Sequence, residues 1–101
     1  MSEYSPIDVK GARILHTMAH PVCLHIVDCL SEAPRRMLDI SESTKIANGP
    51  NLWRYVRRMV DSGVVVKARS GKEVYYSLPA DDVVRFAEVC RRVARISMKN
   101  F

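Results

Sequence analysis

Proline placement constrains this chain more than any other feature. Each of the five prolines sits at a boundary between apolar-periodic segments: Pro6, Pro21, Pro34, Pro50 and Pro79. Proline fixes φ and lacks an amide donor, so it suits a first helical turn and disfavours helical geometry in the residue before it. The chain is therefore cut into short elements. Residues 8–19 place Val9, Ala12, Ile14, Leu15, Met18 and Ala19 at helical spacing after Pro6. His20-Pro21 restarts the chain into a second helix carrying Cys23, Ile26, Val27 and Leu30, ending near Ser31 before Ala33-Pro34. Residues 35–44 predict a short third helix around Met37, Leu38 and Ile40.

Asn48-Gly49-Pro50-Asn51 is a helix start, with a capping asparagine and a proline inside the first turn. The helix predicted at about 48–62 repeats Leu52, Val56, Met59 and Val60 on one side. The opposite side collects Pro50, Asn51, Arg54, Arg57 and Arg58, with Trp53 on the border. Gly63 ends it. Val64–Ala68 and Glu73–Leu78 are β-rich runs joined by Arg69-Ser70-Gly71-Lys72, a hairpin at about 64–78 with a basic tip. Pro79-Ala80-Asp81-Asp82 opens a last helix at about 80–98, with Val83, Phe86, Ala87, Cys90, Val93 and Ala94 along one strip. That strip is longer than one small core needs, which predicts a further partner for it.

Composition narrows the function. At 101 residues and 48% apolar, the chain has room for one domain, not for a multidomain enzyme. It has no bilayer-length apolar run and no signal-peptide pattern, so it is expected to be cytoplasmic and away from membranes. Cys23, Cys29 and Cys90 form no Cys-x-x-Cys pair, which argues against a disulfide scaffold or a structural zinc site. No cofactor-binding or catalytic motif is present, so no enzymatic activity is expected. The net charge is +5, and residues 44–73 hold seven bases against two acids, while the remainder is balanced. Four helices, a hairpin and a helix, with the excess charge on the fourth helix and the hairpin, predict a winged helix-turn-helix that binds duplex DNA. The rival is a winged helix used for protein contact, anchored by Trp53, Tyr55 and Tyr75.

At the same residues the sequence resembles the ArsR/SmtB family of repressors. The resemblance is carried by Met18-Ala19-His20-Pro21 leading to Leu24 and Ile26-Val27, then Asn48-x-Pro50-x-Leu52-Trp53-x-x-Val56, Gly63-Val64-Val65 and Val74-Tyr75-Tyr76-Ser77-Leu78. It covers about residues 12–95. It implies a homodimer held by the first and last helices, binding a palindromic operator and released by a metal ion or an oxidant. Twofold symmetry would set two recognition helices roughly 34 Å apart.

Arg54 is the first choice for a bidentate guanine contact, with a phosphate contact as the alternative. Asn51 suits adenine or phosphate, and Asn48 does so only if capping leaves its amide free. Trp53 departs from the small hydroxyl residue usual in the family and either stacks on DNA or packs. Arg57, Arg58, Lys67, Arg69 and Lys72 suit backbone phosphates.

The effector is less legible. The family's Cys-x-Cys metal site falls on Arg36 and Leu38, and its last-helix site finds no histidine after His25, leaving Asp81, Asp82 and Glu88. A metal site is therefore not expected at either place. A metal alternative uses His16, His20 and Cys23. A redox alternative pairs a second-helix cysteine, Cys29 or Cys23, with Cys90, with Arg91 and Arg92 as thiolate stabilisers. The thiols of redox-sensing relatives fall one residue before Cys29 and about five beyond Cys90, a displacement that strains the roughly 7 Å Cα limit for a disulfide.

Overall fold

The computed structural model describes residues 3–45 and 49–99. Its order is α1 (Pro6–Met18), α2 (Pro21–Glu32), α3 (Met37–Thr44), α4 (Gly49–Ser62), β1 (Val66–Ser70), β2 (Glu73–Ser77) and α5 (Asp81–Lys99). The prolines act as the sequence predicts at α1 and α2. Ser5 Oγ accepts from the Asp8 amide at 3.1 Å just before Pro6, and His20 Nδ1 accepts from the Val22 amide at 3.1 Å across Pro21. At α3 the cap runs one way: the Arg36 amide donates to Asp39 Oδ2 at 3.1 Å and the Arg36 guanidinium donates to the same carboxylate. Those hydrogen bonds hold the Asp39 carboxyl below its ordinary range.

The core is built around α2, which touches every other helix and β2. Its Val22, Cys23, Ile26 and Val27 are fully buried against Ile40, Leu52, Val56, Met59, Val65 and Ala87. Burying side chains of this size contributes about 1.5–3 kcal/mol each, which fixes how α4 lies on the body. Its apolar stripe therefore faces inward and its arginines face out.

The strands pair antiparallel from Val66 opposite Ser77 to Ser70 opposite Glu73, and Gly71 opens the two-residue turn at φ +62°. Two expectations shift here. Strand propensity puts Val64 and Val65 in the first strand, yet both are buried in the link from α4 and their amides donate to the Met59 carbonyl at 3.0 and 3.2 Å. Together with Gly63 N–H on Val60 O, and Gly63 at φ +88°, this is a Schellman closure; it uses the amides a strand would need. The strand begins at Val66 instead, and the basic tip shrinks from four residues to Gly71-Lys72.

The third helix starts at Met37 instead of residue 35, because Arg35 exchanges backbone hydrogen bonds with Tyr76 at 2.9 and 2.7 Å. This bridge fastens the hairpin to the segment entering α3. Within α3, Ile40 is buried while Leu38 is 61% exposed. Along α5, Val83, Phe86 and Ala87 pack inward and Cys90 is half-buried, whereas Val93, Ala94, Ile96 and Met98 face out. On α1, Ile7, Val9 and Leu15 also face out. Among the described residues no helix is long and apolar enough to cross a membrane.

Candidate nucleic-acid interface

Helix α4 presents Asn51, Arg54, Arg57 and Arg58 as exposed side chains opposite buried Leu52, Val56 and Met59. The three arginines diverge. Arg57 lies toward the hairpin, where its guanidinium carbon sits 5.1 Å from the centre of the Trp53 ring. The two share a recess of about 410 Å³ with Val60, Asp61, Lys67 and Tyr76. Arg58 lies on the other flank, in a groove that Arg13, His16 and Thr17 of α1 also line. Arg54 stands between them. Asn48 lies outside the described residues.

Lys67 lines the same recess as Trp53 and Arg57, so that face of β1 looks toward α4. Strand alternation puts Arg69 on the Lys67 face. All of β1 is exposed, as is Lys72 in the turn. Trp53 is 49% exposed, so it is neither a core residue nor a free ring: one side of the indole carries Arg57. Tyr55, offered as a protein-contact anchor, is half-buried with its ring 4.4 Å from that of His20. That contact ties α4 to the corner between α1 and α2 and removes Tyr55 from an exposed aromatic patch.

Cations without an ion pair cluster on this surface. Among the described residues the ion-paired arginines are Arg35 with Glu32, Arg36 with Asp39 and Glu73, Arg85 with Asp82 and Arg91 with Asp28. Among the described residues Lys45, Arg54, Arg57, Arg58, Lys67, Arg69 and Lys72 take no such partner, and neither do Lys10 and Arg13 on α1 or Arg92, Arg95 and Lys99 on α5, so what marks α4 and the wing is the clustering of such cations and the near absence of acids among them. Their fields are left for an external anion.

The thiols divide differently from expectation. Cys23 is fully buried, its Sγ donates to the Thr17 carbonyl at 3.5 Å, and burial pushes its pKa up to about 11 against a weaker pull from Arg58. A thiol so held stays protonated and packs in the core, an environment opposite to that of a reactive thiolate. Cys29 is buried on α2 and Cys90 half-buried on α5, and these helices pack together. Arg91, expected to stabilise a thiolate, makes a bidentate pair with Asp28 at 2.9 and 2.8 Å. The His16, His20 and Cys23 metal set is not assembled: His20 is spent on capping α2, and among the described residues no three His, Cys, Asp or Glu side chains group to hold a metal ion. The Arg35–Tyr76 backbone bridge and the Arg91–Asp28 ion pair have no signal in the sequence, because each joins residues far apart in the chain.

A helix pair α3–α4 with a packed hairpin behind it, fastened by Arg35, makes this a winged helix-turn-helix protein. No family profile matches the sequence. Over 91 residues it is 29% identical to Rv0081 of Mycobacterium tuberculosis, described as an HTH-type transcriptional regulator, a match spanning 90% of this chain and 80% of that one. The crystal structure of Rv0081 superposes with a TM-score of 0.79 at 26% identity, covering 96% of this chain and 97% of that one. A solution structure from Mycobacterium bovis, the homodimeric winged helix-turn-helix DNA-binding domain of Mb0332, superposes at 0.78 with 23% identity over 100% of this chain and 96% of that one. Mb0332 is described as a possible ArsR-family regulator, and the likeness of this chain to it is one of fold. The repressor BigR from Xylella fastidiosa superposes at 0.69 with 22% identity over 89% of this chain and 96% of that one.

Proposed function

We propose that this chain is a DNA-binding transcriptional regulator of ArsR/SmtB type, acting as a homodimeric repressor on a palindromic operator. The carrying observation is the clustering of Arg54, Arg57, Arg58, Lys67, Arg69 and Lys72, exposed and without ion pairs, on the outer face of α4 and the adjoining wing. Helix α4 enters the major groove, with Arg54 and Asn51 reaching base edges from its N-terminal half. Trp53, held beside Arg57, meets the sugar or a thymine methyl, and Arg57, Arg58, Lys67, Arg69 and Lys72 take phosphates. The dimer forms through α1 and α5, whose Ile7, Leu15, Val89, Val93, Ile96 and Met98 are left exposed on the single chain.

Selection of bound duplexes from a random pool tests the reading. A palindrome with half-sites one helical turn apart is expected, and Arg54→Ala should relax preference at one base pair per half-site; recovery of no common sequence would refute specific recognition. The effector reading rests on Cys29 and Cys90, free thiols on packed helices. Peroxide or persulfide treatment should lower DNA affinity in the parent and not in Cys29→Ser or Cys90→Ser. An equal response in all three ends the two-thiol reading.

A further inference from the structure

Helix α4 has two cationic flanks. The wing supplies one, with Lys67 and Arg69. On the other, Arg58 shares a groove of about 750 Å³ with Arg13, His16 and Thr17 of α1. Arg13 and Arg58 are both exposed, and among the described residues neither has an ion pair, although Asp8 and Asp61 line the same groove. Two uncommitted guanidiniums on one groove repel each other and gain from an external anion that both can reach.

Charge is graded along the groove. His20, just past the end of α1, lies against Tyr55 of α4. Burial governs the Cys23 thiol, but the opposing pull on it comes from Arg58, and that thiol donates to the Thr17 carbonyl, so Arg58 belongs to the Thr17 end of α1. From there α1 runs back beside the last turn of α4, where Asp61 and Ser62 join the lining. At the helical rise, Arg13 is about 6 Å from Thr17 along the axis and Asp8 about 13 Å. The guanidiniums therefore gather toward the end nearer the base-reading start of α4, and the carboxylates lie at the other. Dimerisation leaves the groove open. On α1 it takes Val9, Ala12, Arg13 and His16, whereas Ile7, exposed for a second subunit, and Met18, buried in the core, lie about half a turn round the helix.

We propose that Arg13 of α1, together with Arg58, binds the phosphate backbone of the operator on the stretch of duplex between the two half-sites. The inference rests on the DNA-binding reading above and adds to it a contact from a helix outside the helix-turn-helix and the wing. Its place on the operator follows from the dimer: α1 belongs to the seam between subunits and the hairpin stands on the far flank of α4, so the wings grip outside the half-sites and α1 grips between them. The contact is to backbone and not to bases, because a guanidinium set back beside the second half of α4 lies outside the groove that α4 fills.

The test is anisotropy titration of the full chain on the palindrome recovered by selection, with Arg13→Ala, Arg13→Lys and Arg95→Ala. Arg13 is exposed, so its substitution leaves the fold intact, and Arg95→Ala removes an equally exposed, unpaired arginine from α5. Arg13→Ala should lower the slope of log affinity against log salt by about 1.8, two contacts per dimer, while Arg13→Lys and Arg95→Ala keep the parental slope. Uncharged methylphosphonates between the half-sites should weaken the parent and leave Arg13→Ala unchanged. A parental slope in Arg13→Ala, an equal fall in Arg95→Ala, or equal weakening of parent and Arg13→Ala by the methylphosphonates would each overturn the proposal while the regulator reading stands. Failure of the parent to bind any duplex selectively would sink both.

Discussion

Replacing Arg69 by Ala tests the wing directly, through salt dependence. Arg69 is exposed on the strand face that looks toward α4, beside Lys67, and has no acidic partner, so its charge is free to displace a counterion from a phosphate. Each phosphate contact contributes about 0.9 to the slope of log affinity against log salt, and a symmetric dimer loses two contacts per substitution, so the slope should fall by about 1.8. Over an about fourfold rise in salt, the parent should then lose about tenfold more affinity than the variant does. Fluorescence anisotropy of a labelled operator duplex reads this out. Arg85→Ala is the control, because Arg85 is equally exposed but already bridged to Asp82 at 3.1 Å on α5. It should leave the slope where it was. An unchanged slope in Arg69→Ala, or an equal fall in Arg85→Ala, would show that net charge and not wing geometry governs binding.

Three further outcomes are expected. Gly63→Ala should lower stability by about 1–2 kcal/mol in urea denaturation, since φ is +88° while open space surrounds the Cα, so the cost is conformational and not steric. Cys23 gains stability from staying protonated: its folded pKa of about 11 exceeds the ordinary 9.0, so this contribution is complete below pH 9.0 and is lost as pH rises toward about 11. The alkaline loss should reach about 2–3 kcal/mol and vanish in Cys23→Ala. Val93→Glu, on the exposed strip of α5, should yield a monomer by analytical ultracentrifugation with unchanged helical content; a dimer of parental strength would place the interface elsewhere.

Local signals and tertiary partners contributed differently to what could be read from the residues. Helix starts at α1 and α2 were legible because a proline and a capping side chain act within three or four residues. The inward stripe of α4, and with it the outward arginines, followed from helical periodicity alone. The start of the first strand was misjudged because Val64 and Val65 have strand propensity, and only the closure of α4 onto their amides decides otherwise. Cys23 lies on the apolar stripe of α2, where packing is the ordinary role, and its metal and redox alternatives stay open in the sequence because its depth in the core does not show there.

The amino-acid sequence by itself determined the order of elements, the cationic side of α4 and the confinement of positive charge to residues 44–73, because spacing and composition are properties of the chain. Tertiary structure alone decided which charges are spent and which are free. Arg91 reaches Asp28 across 63 residues, and the Arg35 backbone meets Tyr76 from a distant strand. Ion pairing and hydrogen-bond satisfaction depend on distances of a few ångströms between groups far apart in sequence, and only packing sets those distances.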